Sequence, residues 1–292
     1  MKKILLTGGS GFLGSRIRYY YGLMKKEEFV LDAPTHQEMD LTKKEQVMGY
    51  VANLKPDLVI HCGTVADTNF VLTHPEESFQ ITVIGSCHLA EASKQEGIPL
   101  LFMSSDYVYQ GKSIWGSSYD MTRDALKEEE AATDNEYGRQ KLEAEKRCLK
   151  LNPRTIALRL SWMYDLPRVK LKNKQNLLTS LIKAAQENKP IFFAGQEYRG
   201  ITNVWEVIKN LEMAAGLPPG SYNFGSSNRV STFETARTAA SILGIPQNLI
   251  GEDKERFAER PRNLTMDLQK IKEYGIVFPD TISSLQSFLP IL

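Results

Sequence analysis

The chain has 292 residues, of which 42% are hydrophobic and 24% are charged, as in a globular protein large enough for one large domain or two joined ones. Its formal net charge of +1 provides no basic excess for nucleic acid or an anionic membrane surface, and no apolar run approaches the length of a membrane span. The three cysteines are widely spaced and the four histidines show no ligand spacing, which argues against a disulfide framework and a metal site. We therefore expect a cytoplasmic protein without a metal, membrane or nucleic-acid partner.

The first element is a short apolar strand, Lys3–Leu6, that runs into a glycine-rich loop and then into a helix through Tyr21. The glycines at Gly8, Gly11 and Gly14 allow a tight turn and the close approach of a pyrophosphate to the helix N-terminus, where backbone N–H groups favour anions. The position between a strand and a helix is what a dinucleotide-binding motif requires. An ordinary glycine-rich turn is the alternative.

A second strand, Phe29–Ala33, places Asp32 near its end, where the carboxylate can accept hydrogen bonds from an adenosine ribose. That contact would favour NAD(H), unless Asp32 points elsewhere on the strand. Asp40–Thr42 is expected to cap a helix over residues 43–54, and Ser231–Glu234 has the form of a capping box. The alternation of strands and helices predicts an α/β fold, a Rossmann-like doubly wound parallel sheet with helices on both faces.

Two further apolar strands are predicted over residues 57–62 and 98–103, joined by a long helix, Glu76–Glu96. The first of these strands ends at Gly63-Thr64, a small and polar end of the kind at which a cofactor crosses a sheet. The second brings Ser105 to the carboxyl edge of the sheet, where open parallel sheets bind ligands. Ser105 can donate a hydrogen bond to a reacting carbonyl there, or it can be a turn or capping serine.

Tyr137 and Lys141 are four residues apart in a stretch with helical periodicity, so a helix brings the phenol and the ammonium to one face. A free tyrosine, with a pKa of about 10, is too weak an acid to protonate the alkoxide that hydride addition forms at neutral pH. A neighbouring positive charge lowers that pKa toward the working range. Thr133 and Asp134 are expected to cap this helix. The same spacing is also common on solvated helix faces.

The domain boundary is predicted at residue 162. Residues 1–162 are expected to form the dinucleotide-binding domain and 163–292 mainly the smaller C-terminal substrate-binding region, with the chain crossing back around residues 200–225. A long connection over 107–132 separates the fourth strand from the Tyr137 helix. The basic segment 168–174 is expected to be a solvated loop, although its charge would also suit a phosphorylated substrate.

Together the motifs resemble the extended short-chain dehydrogenase/reductase family, specifically its dTDP-4-dehydrorhamnose reductase branch. The resemblance begins with the glycine loop at 8–14, the run Ser104–Tyr109 and the pattern Tyr137-Gly138-x-x-Lys141. That branch also carries an R-x-S-W-x-Y segment, matched by Arg159–Tyr164, and a late R-P-x-N, matched by Arg260–Asn263. The similarity covers essentially the whole chain, with the motifs in the right order.

The resemblance implies reduction of the 4-keto group of a nucleotide-linked deoxysugar in surface-carbohydrate or rhamnose biosynthesis, by a monomer or homodimer. NADPH or NADH would supply the hydride, and Tyr137 the proton. The implied catalytic set is Ser105, Tyr137 and Lys141. The implied cofactor-binding residues are Gly8, Gly11, Phe12, Leu13, Gly14, Asp32, Asp40, Leu41, Gly63, Thr64, Val65, Met103, Tyr137 and Lys141. The residues implied to hold the nucleotide-sugar substrate are Ser105, Asp106, Trp162 and Arg260.

The chain departs from the family pattern in three places. The family usually has Asn-Ala-Ala where this chain has His61-Cys62-Gly63, and core packing is the expected role of His61 and Cys62. It usually has Val-Asn where this chain has Ile81-Thr82, and that asparagine commonly supports the catalytic lysine through water. Gln110 replaces an expected aspartate at the start of a connection, 110–136, that is longer than typical and lies where the substrate would sit.

Two other functions fit the same resemblance. A sugar-nucleotide epimerase or dehydratase would retain and recycle its cofactor, but dehydratases usually add acidic residues where Asp106 is here followed by Tyr107. A non-catalytic subunit resembling the regulatory beta subunit of methionine adenosyltransferase would use the dinucleotide site for structure or sensing. That homologue has a similar S-S-D-Y-V run and R-P-R-N tail. Steady consumption of NADPH with a keto-sugar nucleotide separates the reductase from these alternatives.

Overall fold

Strands and helices alternate through most of the chain, as its apolar periodicity predicts. The computed structural model describes residues 1–111, 125–167 and 171–289. Part of the long connection (112–124), the start of the basic segment (168–170) and residues 290–292 lie outside the described residues, so the loops predicted there are described only in part.

The bounds of the regular elements are as follows. The strands are β1 (Lys2–Thr7), β2 (Phe29–Asp32), β3 (Leu58–His61), β4 (Leu100–Ser105), β5 (Thr155–Leu160), β6 (Trp162–Tyr164), β7 (Ile191–Ala194), β8 (Glu197–Arg199), β9 (Ile201–Asn203), β10 (Gly220–Phe224), β11 (Ile250–Asp253) and β12 (Arg262–Leu264). The α-helices are α1 (Phe12–Tyr19), α2 (Lys44–Leu54), α3 (Thr68–Thr73), α4 (Pro75–Phe79), α5 (Gly85–Gln95), α6 (Glu136–Leu151), α7 (Leu177–Glu187), α8 (Val204–Ala214), α9 (Thr232–Ile242), α10 (Gln269–Lys272) and α11 (Thr281–Phe288). Short 3-10 helices cover Asp106–Tyr109, Glu128–Glu130 and Gln247–Leu249, and π-helical turns cover Tyr20–Met24 and Gln80–Ile84.

Six strands form one sheet in the order β10-β5-β4-β3-β1-β2. β1 pairs in parallel with β2 on one side and with β3 on the other, and β3 pairs in parallel with β4. The strand order therefore reverses between β1 and β3. Open parallel sheets bind ligands in the crevice outside the carboxyl ends of the strands at such a reversal. The predicted Rossmann-like α/β fold is confirmed.

The chain divides into two compact units. The first contains Met1–Val108, Thr133–Arg159 and Ile208–Tyr222. The second contains the described residues of Tyr109–Ala132, Leu160–Val207 and Asn223–Leu292. The predicted boundary at residue 162 divides a cofactor-binding part from a substrate-binding part, and this division remains a prediction.

The core of the first unit lies between the sheet and the helices beside it. β4 and β5 are buried at every residue, as expected of strands covered on both faces. Their apolar side chains pack with those of α2, α5 and α6 in one cluster, which includes Val47, Val83, Leu89, Leu100, Phe102, Ala144 and Ala157.

The second unit has its own apolar core and three small parallel strand pairs. These pairs are β6–β9, β7–β11 and β8–β12. α7, α9 and α11 supply much of the core, which includes Tyr164, Leu177, Leu181, Ala236, Ala240 and Leu285. Within the described ranges of both units, no helix has the length and apolarity needed to cross a membrane.

The helix predicted over residues 76–96 is interrupted by a π-turn. α4 and α5 are joined by Gln80–Ile84, and the backbone N–H of Gly85 donates to the carbonyl of Gln80, five residues earlier. A π-turn holds one residue more than an α-helical turn, and such single turns are frequent at functional sites. The apolar period does not reveal the turn, because the segments on both sides of it keep helical spacing.

The helix that carries Tyr137 begins later than predicted. Asn135 caps α6, and its side-chain oxygen accepts a hydrogen bond from the backbone N–H of Gly138 at 3.1 Å. The predicted caps, Thr133 and Asp134, lie just before it. All three residue types are good N-caps, so the sequence cannot distinguish among them when they stand in a row.

Candidate functional site

The three motif glycines differ in how crowded they are: Gly8 and Gly11 lie in the loop between β1 and α1, and Gly14 lies in the first turn of α1. Gly8 has φ +70°, and a Cβ there would lie 2.5 Å from the carbonyl carbon of Cys62, so only glycine fits. A Cβ on Gly14 would collide with the carbonyl oxygen of Gly8. Gly11, the exposed N-cap of α1, is different, because a Cβ there would meet only the Gly8 carbonyl oxygen, at 3.3 Å. The fold requires Gly8 and Gly14, whereas Gly11 keeps open the space over the helix N-terminus where an anion is favoured.

The two carboxylates predicted at the adenosine end are each held by a neighbouring side chain or turn. Asp32 ends β2, and its Oδ1 accepts a hydrogen bond from the Tyr50 hydroxyl at 2.7 Å. Asp40 Oδ1 accepts from the Thr42 backbone N–H at 3.0 Å and from its hydroxyl at 2.7 Å. Asp40 thus closes a turn before α2 and does not cap the helix as predicted, since α2 begins only at Lys44.

Phe12 and Leu13 open α1 directly after Gly11, and they follow the loop as a phosphate-binding turn requires. Phe12 is half-buried, whereas Leu13 is buried. Since the first backbone N–H groups of a helix lack partners within the helix, this turn offers donors to an anion.

The segment Gly63–Val65 leaves the carboxyl end of β3 with each of its backbone amides hydrogen-bonded. Gly63 N donates to Thr7 Oγ1 at 3.1 Å, and Thr64 N donates to the carbonyl of Cys62 at 2.9 Å. Val65 N donates to Thr82 Oγ1 at 3.2 Å. A Cβ on Gly63 would lie 2.8 Å from Thr7 Oγ1 and 2.9 Å from the Leu41 side chain, so these groups require a glycine at this position.

Lys141 is buried, and two oxygens hold its ammonium. Its Nζ donates to Thr64 Oγ1 at 2.6 Å and to the carbonyl oxygen of Met103 at 2.8 Å. Burial lowers the pKa of Lys141 to about 8. The ammonium lies 6.0 Å from the centroid of the Tyr137 ring, on the preceding turn of α6. The structure therefore brings together four of the predicted cofactor-site residues.

The end of β4 and the start of α6 approach each other closely. Ser105 Oγ donates to Asp106 Oδ1 at 3.2 Å and accepts from the Tyr107 backbone N–H at 3.3 Å, so it is a turn serine in this structure. The Tyr107 ring meets the Tyr137 ring edge-on, with centroids 5.4 Å apart. A Cβ on Gly138 would collide with the Tyr107 carbonyl oxygen, so this glycine allows α6 to lie against the chain that follows β4.

A buried ion pair that was not predicted from the sequence lies one turn after Lys141 and fixes α6 to the sheet. Both oxygens of Glu145 accept from Arg159, whose Nη2 lies 2.6 Å from Oε1. Ser104 Oγ donates to the same carboxylate at 2.8 Å, and Ser221 Oγ at 2.6 Å. Three strands, β4, β5 and β10, thus donate to one side chain of α6. A glutamate on the buried helix face that also carries Lys141 was the available signal.

His61 is buried, as expected of a core residue, but it is also hydrogen-bonded at both ring nitrogens. Its Nδ1 lies 2.6 Å from Thr7 Oγ1, and its Nε2 lies 2.8 Å from Ser86 Oγ. Burial and the nearby charge of Lys141 lower the pKa of His61 to about 3, so the ring is neutral at physiological pH. Its burial could be predicted from the sequence, whereas its hydrogen bonds could not.

The two other residues predicted to hold substrate, Trp162 and Arg260, belong to the second unit. Trp162 begins β6, and the guanidinium carbon of Arg199 lies 5.7 Å from its ring centroid. Arg260 is exposed, whereas Arg262 is buried and pairs with the carboxylate of Glu197. The buried arginine of the R-P-R-N run is therefore the second one.

The first unit offers an open helix N-terminus, a buried ammonium and a neighbouring phenol at the carboxyl edge of its sheet. The uncrowded position of Gly11 fits a pyrophosphate, since any larger residue would fill that space. The Lys141–Tyr137 pair suits proton transfer to an oxygen that becomes negative. Across residues 1–111, 125–167 and 171–289, no three His, Cys, Asp or Glu side chains group together as a metal site requires.

Comparison with known proteins places this geometry in a family. The bovine (Bos taurus) methionine adenosyltransferase 2 subunit beta is 25% identical, over 94% of this chain and 83% of its own length. The dTDP-4-dehydrorhamnose reductase of Aggregatibacter actinomycetemcomitans is also 25% identical, over 94% of each chain. A crystal structure of the dTDP-4-dehydrorhamnose reductase of Bacillus anthracis in complex with NADP superposes with a TM-score of 0.85 at 22% identity, covering 100% of this chain and 99% of that one. Residues 1–291 match the family described as the RmlD substrate binding domain, and the chain belongs to that family.

Proposed function

We propose that the protein is a reductase that uses NADPH or NADH to reduce the 4-keto group of a nucleotide-linked deoxysugar, as a dTDP-4-dehydrorhamnose reductase does. One observation carries the proposal: the Lys141 ammonium is buried beside Tyr137 and held by Thr64 and Met103. The family membership supports it, and so do the relative named as a reductase and the structural neighbour crystallised with NADP.

The bound dinucleotide would supply the hydride, and this chain would supply its binding surface. The residues proposed for the pyrophosphate are Gly8, Gly11, Phe12, Leu13 and Gly14. Those proposed for the adenosine end are Asp32, Asp40 and Leu41, and those for the nicotinamide side are Gly63, Thr64, Val65 and Met103. The backbone N–H groups at the start of α1 favour the diphosphate charge.

Tyr137 is the proposed proton donor. The positive charge of Lys141 favours the phenolate and so lowers the pKa of the phenol, which makes proton transfer to the sugar oxygen feasible near neutral pH. The Ser105 hydroxyl, at the carboxyl end of β4, is proposed to turn from Asp106 Oδ1 and to donate its hydrogen bond to the same oxygen. Asp106, Trp162 and Arg260 are proposed to hold the nucleotide sugar. As part of the proposal we place this monomer or homodimer in the cytoplasm, consistent with free thiols at Cys62, Cys87 and Cys148.

The test is the loss of reduced-nicotinamide absorbance when purified protein is mixed with dTDP-4-dehydrorhamnose and either NADPH or NADH. We expect turnover in the wild type and a loss of at least about 100-fold in Tyr137→Phe, the scale of general acid catalysis. Dinucleotide affinity should remain. Tyr107→Phe is the matched control, because it removes the neighbouring phenol hydroxyl and leaves the ring contact. Near-normal turnover in Tyr137→Phe would eliminate Tyr137 as the acid.

A second candidate is a non-catalytic, dinucleotide-binding subunit. The similarity to methionine adenosyltransferase 2 subunit beta, over 94% of this chain, favours it. Tight dinucleotide binding without turnover of any 4-keto-sugar nucleotide would support this candidate. A sugar-nucleotide epimerase would instead convert its substrate without net consumption of the dinucleotide.

A further inference from the structure

Thr7, His61 and Ser86 form one hydrogen-bonded chain inside the first unit, next to the segment Gly63–Val65. The three residues belong to β1, β3 and α5, and their exposed fractions are 3%, 0% and 0%. His61 bridges the other two, with Nδ1 at 2.6 Å from Thr7 Oγ1 and Nε2 at 2.8 Å from Ser86 Oγ. These hydrogen bonds therefore connect two strands to the helix that follows the π-turn.

The direction of each hydrogen bond follows from the two ends of the chain. Ser86 Oγ donates to the carbonyl oxygen of Thr82, so it must accept from His61 Nε2–H. A neutral ring with its proton on Nε2 presents Nδ1 as an acceptor, and the Thr7 hydroxyl must donate to it. The Thr7 oxygen then accepts from the Gly63 backbone N–H at 3.1 Å. Every donor among the side chains of Thr7, His61 and Ser86 thus has one acceptor.

This chain of hydrogen bonds ends at two backbone amides, those of Gly63 and Val65, on either side of Thr64. On one side, Thr7 Oγ1 holds the Gly63 amide. On the other side, Thr82 Oγ1 accepts from the Val65 amide at 3.2 Å, while the Thr82 carbonyl accepts from Ser86. Thr64 lies between these two fixed points.

We propose that His61 is a positioning residue which, through Thr7 and Ser86, fixes the segment Gly63–Val65 so that Thr64 holds the Lys141 ammonium beside Tyr137. His61 would act on Lys141 through the hydrogen bond from Lys141 Nζ to Thr64 Oγ1, which is 2.6 Å long. The inference rests on the proposed function, because that function gives the position of Lys141 its importance. It assigns a role to His61 and Thr82, two of the residues at which this chain departs from the pattern of the family it resembles.

His61→Leu tests the proposal, because leucine can remain buried but cannot form either hydrogen bond. A displacement of about 1 Å at a reacting centre can cost about 100-fold, so we expect kcat to fall about ten- to hundredfold. KM for the nucleotide sugar should change by less than about threefold, since uniform binding of the sugar is not affected. His61→Gln keeps a donor and an acceptor, and it should recover part of kcat. An unchanged kcat in His61→Leu would overturn the proposal.

Combining His61→Leu with Thr64→Val tests the route of the effect. Thr64→Val directly removes one of the two acceptors of Lys141. If His61 acts through Thr64, the double variant should have the kcat of Thr64→Val alone. Two independent losses would multiply, and that result would contradict the proposed route.

Ser86→Ala and Ser93→Ala form a matched pair on α5. Both serines are buried and donate to the carbonyl four residues earlier, Ser93 to Leu89 at 2.7 Å, but Ser86 also accepts from His61. We expect a lower kcat only in Ser86→Ala, which should also be less stable than Ser93→Ala because it leaves the buried His61 Nε2–H without its acceptor. Equal kcat values would count against a role beyond stability.

Two NMR measurements do not depend on turnover. The ring ¹⁵N shifts of His61 in the wild type should show the neutral Nε2–H tautomer at pH 7, and the other tautomer or an imidazolium would overturn the chain of bonds. The pKa of Lys141 should fall in His61→Leu, because an acceptor that stabilises the ammonium is displaced, and remain unchanged in Ser93→Ala. If both results hold but no keto-sugar nucleotide is reduced, the proposed function fails and the positioning of Lys141 stands. An unmoved Lys141 pKa in His61→Leu overturns the positioning itself.

Discussion

Gly11 and Gly14 belong to one motif, but glycine is required at the two positions for different physical reasons. The space beside Gly14 is filled by the backbone of Gly8, so glycine is needed there for the loop to form. A Cβ on Gly11 would meet only the Gly8 carbonyl oxygen, at 3.3 Å, and the Gly11 backbone, with φ −73° and ψ 179°, suits any residue. The fold therefore explains one glycine, and a ligand over the helix N-terminus explains the other.

Gly11→Val is expected to remove dinucleotide binding and to lower the free energy of unfolding by at most about 1 kcal/mol, because valine is a poorer N-cap than glycine. Gly14→Ala is expected to destabilise the protein by about 1–3 kcal/mol, the usual cost of forcing extra volume into packed structure. Chemical denaturation measures the stability of each variant. Thermal shift with NADPH measures binding, since ligand at 100 times its Kd stabilises by about 2.7 kcal/mol. A Gly11→Val protein with unchanged NADPH affinity would sink the assignment of the loop.

The buried ammonium of Lys141 gives activity a pH limit. Its pKa is lowered to about 8 by burial, so Lys141 is charged below that pH and loses its charge as pH rises through it. The value of kcat/KM, which reports the free enzyme, should therefore fall above about pH 8, because Tyr137 loses the charge that favours its phenolate. Between pH 8 and the ordinary lysine pKa of about 10.4, the unfolded state binds more protons, so this group makes the free energy of unfolding rise with pH. A pH profile that stays level to pH 10 would contradict this role of Lys141.

At the scale of elements, Glu145 determines where α6 lies. Its carboxylate is the common acceptor for groups on three strands of the sheet, and both Glu145 and Arg159 are buried. Removing one partner of a buried pair leaves an uncompensated charge, which costs far more than the loss of an exposed pair. The position of Lys141, one turn away on α6, follows from this attachment.

Glu145→Gln is expected to lower the free energy of unfolding by about 3–5 kcal/mol, because it leaves Arg159 buried opposite a neutral amide. The control is Glu143→Gln on the same helix, which breaks an exposed 2.7 Å pair with Arg147 and should cost at most about 1 kcal/mol. Denaturant unfolding of both variants measures the difference. Similar losses in the two would mean that burial does not set the strength of the Glu145 attachment.

At the scale of the whole molecule, the bounds of strands and helices were predicted best where the local sequence and the tertiary packing favour the same structure. The strand Thr155–Leu160 is observed with the predicted bounds. The capping box of Ser231 and Glu234 is confirmed, with Ser231 Oγ accepting from Glu234 N at 3.1 Å and the glutamate accepting from Ser231 N at 2.9 Å. In these cases the residues that form the element also decide its ends.

The three-residue strands of the second unit were not predicted. β8 and β12 pair with each other although more than sixty residues lie between them in the sequence, in Glu197↔Arg262 register. Such short strands carry too few residues for an alternating pattern, and their partners are distant in the chain. Their existence depends on tertiary packing.

Only part of the candidate site could be predicted from the sequence. The glycine loop and the Tyr137–Lys141 pair could be identified because their spacing itself has chemical meaning. His61 and Glu145 could not be assigned in the same way, because a buried histidine resembles a core residue and a helical glutamate resembles a surface one. Their partners lie on other elements, and only the fold brings them together.

The π-turn at Gln80–Ile84 also constrains how this protein can change in length during evolution. Loss of one residue within the turn would make the bond from Gly85 N–H to the Gln80 carbonyl an α-helical one, so α4 and α5 would keep nearly their present orientation relative to each other. Loss of one residue from the regular part of α5 would instead rotate the residues after it by about 100° relative to those before it, and would turn their apolar side chains away from the sheet. A single-codon deletion should therefore be less damaging inside Gln80–Ile84 than in α5. Among descendants of this sequence, changes in the length of this helix should be found at the π-turn.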